Sequence, residues 1–454
     1  MEKAAQFVSQ AKFQAADVAD SINHDVTIMI RKRLREVQVL KHCPENTVRR
    51  VELRLIQNAD RTFLWASLIL ELLEDSAEAS EEAFDNMTTA LLKRLDELYE
   101  RILRTTSRPE EAKKILMLLV PAVRPLTLRE LNMAFHLRES DRLREDVTYR
   151  LEPATERWIK IICGPFIRVV DSTIHLVHQT AKEFLIKPSS GVKELGGSWK
   201  HCLDPAESNT ALARICIWYL FFDVFDKQPL VVNANTETDQ ATNAYAREHD
   251  LLDYAARYWA THFRRSDVRG HRTLLNAVFA LCNTRTGRFS TWFHVYWTTI
   301  SHLPALPHNL TTLMVASYLG QQEMVGKLLC EGADVTAQDS EGWSALHWAV
   351  WEGNGETWQG HEAVRPLLDA GANPEEKDNK GMTALHWAAA DGQDSVVQLL
   401  IRRGASINTS DSSGWTPLHL AAANGHARVI KILVENGADI EANDENLQDV
   451  GHNA

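Results

Sequence analysis

The sequence predicts a mainly α-helical protein, in which a helical segment and a small domain of helices with one hairpin precede a helical solenoid. Three observations lead to this fold class. Similar segments recur at intervals of 33 residues in the last third of the chain, as from Leu313 to Leu346. Apolar residues recur at helical spacing farther upstream, and a short stretch near residue 170 alternates with a period of two.

The composition is that of a soluble globular protein, since 44% of the 454 residues are hydrophobic and 24% are charged. The sequence has no apolar run of the roughly 20 residues that span a bilayer, and no signal peptide is apparent. The six cysteines form no Cys-x-x-Cys pair, which argues against disulfides and against a cysteine-based zinc site. We therefore expect a cytoplasmic protein, with the nucleus as the alternative, that uses no metal or other cofactor.

The charge is divided unevenly along the chain. Residues 306–454 contain 8 Lys and Arg against 21 Asp and Glu, a net charge of -13, whereas the preceding 305 residues contain 41 against 40. An acidic surface repels phosphate groups, so we expect this third to bind a basic or apolar protein surface rather than nucleic acid. Solubility alone explains the acidity equally well.

The first element, residues 1–108, is predicted to be helical. Leu91, Leu95, Leu98 and Ile102 recur on one face of a helix, and a second apolar stripe runs over 64–72.

The second element, residues 109–190, is predicted to form three helices and a hairpin, which together make a winged helix. Helices are expected over 112–123, after Thr127 and over 156–163. The hairpin is expected to pair 166–170 with 173–177, because apolar and polar residues alternate there, and a short helix follows over 181–185. The third element, residues 191–305, is predicted to be a helical connector.

The fourth element, residues 306–454, contains about four repeats. The third and fourth read Gly381-Met-Thr-Ala-Leu-His-Trp-Ala-Ala and Gly414-Trp-Thr-Pro-Leu-His-Leu-Ala-Ala, and they closely resemble the ankyrin family. Their threonines are expected to cap the first helix of each unit, and Gly392 and Gly425 are expected to end it in the left-handed conformation.

Three departures from the ankyrin pattern stand out. The first unit is degenerate, with Met314 in place of the histidine, and is expected to act as an N-terminal cap. The second unit has six extra residues around 354–361, which predict a longer loop between its helices. A fifth repeat begins after Ile440 but is too short to contain its helices.

The repeat histidines His347, His386 and His419 occupy one equivalent position, where the ankyrin resemblance implies structural hydrogen bonds rather than catalysis. The same resemblance implies that a turn position and the end of the first helix face a concave groove. We predict that large apolar side chains there anchor a protein partner. These predicted anchors are Trp343, Trp351, Met382 and Trp415, and their acidic neighbours are Glu341, Glu352 and Asp391. An equally good explanation of these four large side chains is that they only cover the neighbouring turns of the repeats. Trp348 and Trp387 are expected to pack between helices instead.

A second resemblance covers the region before the repeats. Four segments that begin at Asp60, Leu95, Arg124 and Val177, the last reading Val-His-Gln-Thr-Ala-Lys-Glu-Phe-Leu, resemble the sequence after the NACHT module in fungal NLR-like signalling NTPases. Proteins of that family carry ankyrin repeats after such a winged-helix region. The family binds nucleotide through a P-loop, but no Gly-x-x-x-x-Gly-Lys-Ser/Thr occurs in these 454 residues. The resemblance therefore transfers no catalytic residue.

The sequence thus predicts a non-catalytic scaffold or adaptor that uses its ankyrin repeats to bind other proteins. It contains no His-Glu-x-x-His metal motif and no Gly-x-Ser-x-Gly nucleophile motif, so no enzyme is expected. One alternative is a fragment of an NLR-like signalling NTPase, with a role in nonself recognition or beside a metabolite gene cluster. A less favoured alternative is a winged-helix DNA-binding regulator, suggested by the basic cluster Arg31-Lys-Arg-Leu-Arg.

Overall fold

The computed structural model describes short pieces between residues 27 and 56 and then residues 95–186, 198–230, 238–266, 272–298, 306–351 and 361–442. The chain divides into two compact units. Unit 1 contains Met1–Val120, Pro125–Leu128 and Ala154–Pro205, and unit 2 contains Pro121–Arg124, Arg129–Pro153 and Ala206–Ala454. None of the described helices is both long and apolar enough to cross a membrane.

The predicted mainly α-helical fold is confirmed. Residues 95–104 are helical. The elements that follow are α1 (Pro109–Leu119), α2 (Leu128–His136), α3 (Glu145–Thr148), α4 (Thr155–Cys163), β1 (Ile167–Val170), β2 (Thr173–Leu176), α5 (Gln179–Leu185), α6 (Pro205–Leu220), α7 (Val224–Lys227), α8 (Thr238–Glu248), α9 (Leu252–Arg264), α10 (Arg272–Leu281), α11 (Gly287–Trp297), α12 (Thr312–Tyr318), α13 (Gln322–Cys330), α14 (Ala345–Val350), α15 (His361–Asp369), α16 (Ala384–Ala390), α17 (Asp394–Arg402), α18 (Pro417–Ala423) and α19 (Ala427–Glu435). The helix predicted over 64–72 and the loop predicted within the second repeat lie largely outside the described residues, as does the chain after residue 442.

The hairpin of unit 1 has the predicted pairing. Strands β1 and β2 are antiparallel, with Ile167 opposite Leu176 and Val170 opposite Thr173. Asp171 and Ser172 both have positive φ, as a two-residue hairpin turn of type I′ requires. The helix predicted over 112–123 is shorter than expected and ends at Leu119. Pro121 explains this end, because proline has no N–H to continue the helical hydrogen bonds.

The core of unit 1 forms around Tyr99, whose ring lies 5.4 Å from Phe166 and 5.6 Å from Phe184. Its hydroxyl is 2.9 Å from the Thr180 hydroxyl at the start of α5. The next residue, Glu100, accepts hydrogen bonds from the backbone N–H groups of Trp199 and Lys200 at 2.9 and 3.3 Å. These residues hold the helical segment 95–104 against Phe166, which directly precedes β1, against α5 and against the chain that follows α5.

The helical connector in unit 2 is joined by aromatic and polar contacts. Trp259 of α9 and Trp292 of α11 meet edge to face with their rings 5.4 Å apart. The imidazole of His262 is hydrogen bonded on both sides, to the Tyr254 hydroxyl and to the Asn209 side chain, each at 2.9 Å. The connector therefore has a packed core of its own and is more than a linker.

The connector continues directly into the repeats. On α11, the Tyr296 hydroxyl donates to the Tyr318 hydroxyl at 3.1 Å, and the Trp297 ring lies 5.8 Å from Trp348. Arg264 of α9 donates to the backbone carbonyl of Leu319. These contacts join α9 and α11 to the first two repeats, and the expectation that the first repeat acts as an N-terminal cap stays a prediction.

The four repeats are helix pairs α12 and α13, α14 and α15, α16 and α17, and α18 and α19. The predicted caps are confirmed, since Thr383 and Thr416 cap α16 and α18. Gly392 has φ +70°, and a Cβ there would lie 2.5 Å from the His426 ring. The conformation and the close approach both require glycine.

Candidate protein-binding surface

The turns that precede α14, α16 and α18 form one surface, here named the turn face, which comprises residues 339–343, 378–382 and 411–415. An aspartate organises each turn. Asp339 Oδ1 accepts from the backbone N–H of Trp343 at 2.9 Å, and Asp378 and Asp411 do the same for the residues four positions later. Adjacent turns are also joined, because the N–H of Asn379 donates to the Glu341 carbonyl at 3.0 Å. The turn face is therefore a rigid, hydrogen-bonded surface.

The repeat histidines bind the turns to the helices. Nδ1 of His386 accepts from the backbone N–H of Thr383 at 3.1 Å, so the ring proton is on Nε2, which donates to the Trp415 carbonyl in the next repeat at 3.1 Å. His347 has the same contacts, with Nε2 3.2 Å from the Met382 carbonyl. Burial lowers the pKa of both imidazoles, which favours the neutral form these contacts require. The structural role implied for these histidines is thus seen directly in their contacts.

Two indoles lie beneath the turn face. Nε1 of Trp348 donates to Asp339 Oδ2 at 2.9 Å, and Nε1 of Trp387 donates to Asp378 Oδ2 at 3.2 Å. Burial raises the pKa of Asp339, while hydrogen bonds from Trp343 and Trp348 oppose that rise. Trp348 is fully buried and Trp387 half-buried, in agreement with the expectation that they pack between helices.

Three other indole rings pack against Trp343. Its ring centroid lies 5.3 Å from those of Trp348 and Trp351 and 4.9 Å from that of Trp387. Trp351 in turn stacks on Tyr318 of the first repeat at 5.4 Å. The result is a continuous aromatic cluster that extends from the connector to the third repeat.

The seven residues predicted to bind a partner fall into three groups. Trp351 and Met382 are only 7% and 8% exposed, so burial in the protein's own core leaves little of either side chain free to anchor a partner. Trp343 and Trp415 are half-buried at the turn face, and Glu341 is exposed beside Trp343. Asp391 is half-buried at the end of α16, and Glu352 lies outside the described residues.

Sequence reasoning missed two residues, one in the buried aromatic cluster and one on the turn face. Tyr318 lies 33 residues before Trp351, at the equivalent repeat position, so the repeat register could have found it. Lys380 is exposed on the middle turn and places a positive charge between the acidic residues. Among the described parts of the chain, no three His, Cys, Asp or Glu side chains converge as a metal site.

Comparison with protein families agrees with this architecture. Residues 313–359 match ankyrin repeats (many copies), and residues 357–444 match ankyrin repeats (3 copies). Residues 99–193 match the winged helix domain of GPI inositol-deacylase. The chain therefore contains ankyrin repeats and a winged-helix domain of that type.

Two similar proteins are fungal. The chain is 29% identical over 175 residues to the vegetative incompatibility protein HET-E-1 of Podospora anserina, a match that covers 38% of this chain and 12% of that protein. It is 27% identical over 240 residues to the azaphilone pigments biosynthesis cluster protein L of Monascus ruber, which covers 51% of this chain and 47% of that protein. The chain thus spans less than half the length of either relative.

Proposed function

We propose that this protein is a non-catalytic scaffold or adaptor, which binds a protein partner on the turn face of its ankyrin repeats. Ankyrin repeats indicate protein partners, and the single observation that carries the finer proposal is the placement of Trp343. Part of its ring is exposed at a turn while three other indoles hold it in place. An aromatic side chain fixed in this way loses little conformational freedom on binding, which is a property of good interface anchors.

The charges beside the anchor favour a particular kind of partner. Glu341 is exposed two residues before Trp343, and residues 306–454 carry a net charge of -13. A partner with an apolar anchor flanked by basic groups complements such a surface. Lys380 on the next turn offers a site for one acidic group of the same partner.

Affinity capture from the source cells with three variants tests this proposal. Trp343→Ala combined with Trp415→Ala removes both half-exposed anchors, while Tyr149→Ala removes an aromatic side chain that is 76% exposed elsewhere in unit 2. Loss of a central anchor typically costs about 2 kcal/mol or more, roughly thirtyfold in affinity. We expect the double variant to lose its specific partner and Tyr149→Ala to retain it. A folded double variant that retains every partner would contradict the proposal.

A second candidate function is that of one part of an NLR-like signalling NTPase. The similarity to HET-E-1 supports it, because that protein takes part in vegetative incompatibility by name and is much longer than the matched region. The similarity to an azaphilone cluster protein supports a role beside a pigment gene cluster in the same way. An in-frame P-loop encoded upstream of Met1 in the genome would favour the NTPase over the free-standing adaptor.

A further inference from the structure

A helix near the start of unit 1 has one buried side and one exposed side. Residues 27–28 and 30–35 are helical. Ile30 and Leu34 are 0% and 4% exposed and belong to the core that contains Tyr99. Residues spaced by three or four positions lie on the same side of a helix. The exposed side therefore carries one apolar residue and three cations, namely Ile28, Arg31, Lys32 and Arg35.

A second helical piece extends this exposed side. Nε of Arg31 donates to Oε1 of Glu52 at 2.7 Å, which joins the second piece to the first. Leu53 is 56% exposed, and Arg49, one helical turn earlier, is exposed as well. The exposed residues of both pieces are here named the basic face, which comprises Ile28, Arg31, Lys32, Arg35, Arg49 and Leu53.

The charge of this stretch differs in sign from that of the whole chain. Residues 27–56 contain 8 Lys and Arg against 3 Asp and Glu, a net charge of +5, although the chain as a whole carries -12. Glu52 is the acidic residue of this stretch that the structure describes, and it pairs with Arg31. Among the described residues, the basic face therefore has an excess of positive charge.

Two aliphatic side chains stand among these cations. Ile28 is 49% exposed, which is close to the exposure of Leu53. A nucleic-acid backbone pairs with cations but offers no apolar partner to the two aliphatic side chains. A bilayer of anionic lipids offers both contacts, because its phosphates pair with cations and its acyl chains receive apolar groups. The composition of the basic face therefore favours an anionic membrane over nucleic acid.

We propose that the basic face docks on the surface of an anionic phospholipid bilayer. Ile28 and Leu53 enter the boundary between headgroups and acyl chains, while the cations contact the lipid phosphates. Docking uses side chains that are already exposed, so the core of unit 1 stays intact. The negative charge elsewhere in the chain opposes docking only weakly, because charges more than about 8 Å away are screened at physiological ionic strength. This site is independent of the turn face and of its partner.

Co-sedimentation of the full chain with large unilamellar vesicles tests the proposal. One vesicle contains phosphatidylcholine with about one third phosphatidylserine, and the other contains phosphatidylcholine alone. Each Lys or Arg near an anionic surface contributes roughly fivefold in affinity, so we expect at least about tenfold tighter binding to the anionic vesicle at about 0.1 M salt. Binding should weaken at about 0.5 M salt, where screening is stronger. No preference for the anionic vesicle would overturn the proposal.

Two double variants test the two kinds of side chain separately. Lys32→Ala with Arg35→Ala removes two cations and should weaken binding to the anionic vesicle at least about tenfold. Ile28→Ser with Leu53→Ser removes the apolar contacts and should weaken it at least about fivefold. All four side chains are exposed, so the melting temperature should stay unchanged. Weaker binding in the charge variant alone would refute docking into a bilayer, because phosphate groups would then be the whole ligand.

Matched controls remove similar side chains elsewhere in unit 1. Arg101→Ala with Lys113→Ala removes two exposed cations, and Ile161→Ser with Val170→Ser removes two aliphatic side chains that are 60% and 46% exposed. Both controls should bind the anionic vesicle like the wild type. Losses as large as those of the basic-face variants would contradict the proposed site. Tighter binding to a DNA duplex than to the anionic vesicle at the same salt would assign the basic face to nucleic acid and equally overturn the proposal.

Discussion

Replacement of Trp351 by alanine tests whether the aromatic cluster is the core that joins the connector to the repeats. The Trp351 ring is 7% exposed and lies between 5.3 and 5.8 Å from the rings of Trp297, Tyr318, Trp343 and Trp348. Truncation of a buried tryptophan to alanine costs about 3–5 kcal/mol, because it removes apolar burial and leaves a cavity. We expect Trp351→Ala to lower the free energy of unfolding by about this amount.

Urea unfolding followed by far-ultraviolet circular dichroism measures the effect, because the helical signal does not depend on the deleted indole. Trp415→Ala is the matched control. Its ring is half-buried at the turn face, 6.1 Å from the His419 ring, so its loss should cost less than half as much. A cost below about 1 kcal/mol for Trp351→Ala would refute the cluster as a core.

Three further predictions follow from the turns, the buried histidines and the missing P-loop motif. Gly342→Ala should destabilise the protein by more than Gly404→Ala. Both glycines have positive φ, but only a Cβ at position 342 would meet a backbone atom, the Asn379 nitrogen at 2.9 Å. Equal melting temperatures of the two variants would contradict this prediction. Burial lowers the pKa of His347, His386 and His262, the last to about 3. Below a pH of about 6.5, the histidine pKa of the unfolded chain, the unfolded chain therefore binds more protons than the folded protein. The free energy of unfolding should therefore be constant from pH 7 to 8 and fall as the pH drops from about 6.5 towards 3, and a flat urea midpoint across that range would show the reasoning to be wrong. Calorimetry should detect no micromolar binding of ATP or GTP, and tight binding would overturn the expected absence of a nucleotide site.

Sequence patterns predicted the repeats well because their signals are local. Each repeat threonine caps its helix together with the histidine three positions later, and the glycine after the helix has a positive φ, so the sequence signal of each feature lies within a few residues. The hairpin was equally predictable, because alternation and the Asp171-Ser172 turn determine its register.

The burial of Trp351 and Met382 could not be predicted from their repeat positions. A concave position is open only when its neighbours are small, and here Tyr318 and Trp297 fill the space beside Trp351. Trp297 belongs to the connector, whose irregular sequence gives no register with the repeats. Packing between distant segments therefore decided which of the predicted anchors stayed accessible.

Site-specific photocrosslinking tests the binding role of the turn face most directly. A benzophenone amino acid is placed at position 380, an exposed residue of the third-repeat turn, or at position 402, an exposed residue of the outer helix α17 in the same repeat. After illumination in the source cells, we predict a discrete crosslinked protein from position 380 that is absent from position 402 and is lost when Trp343→Ala is added. Identical products from both positions, or a product from position 402 alone, would contradict binding at the turn face.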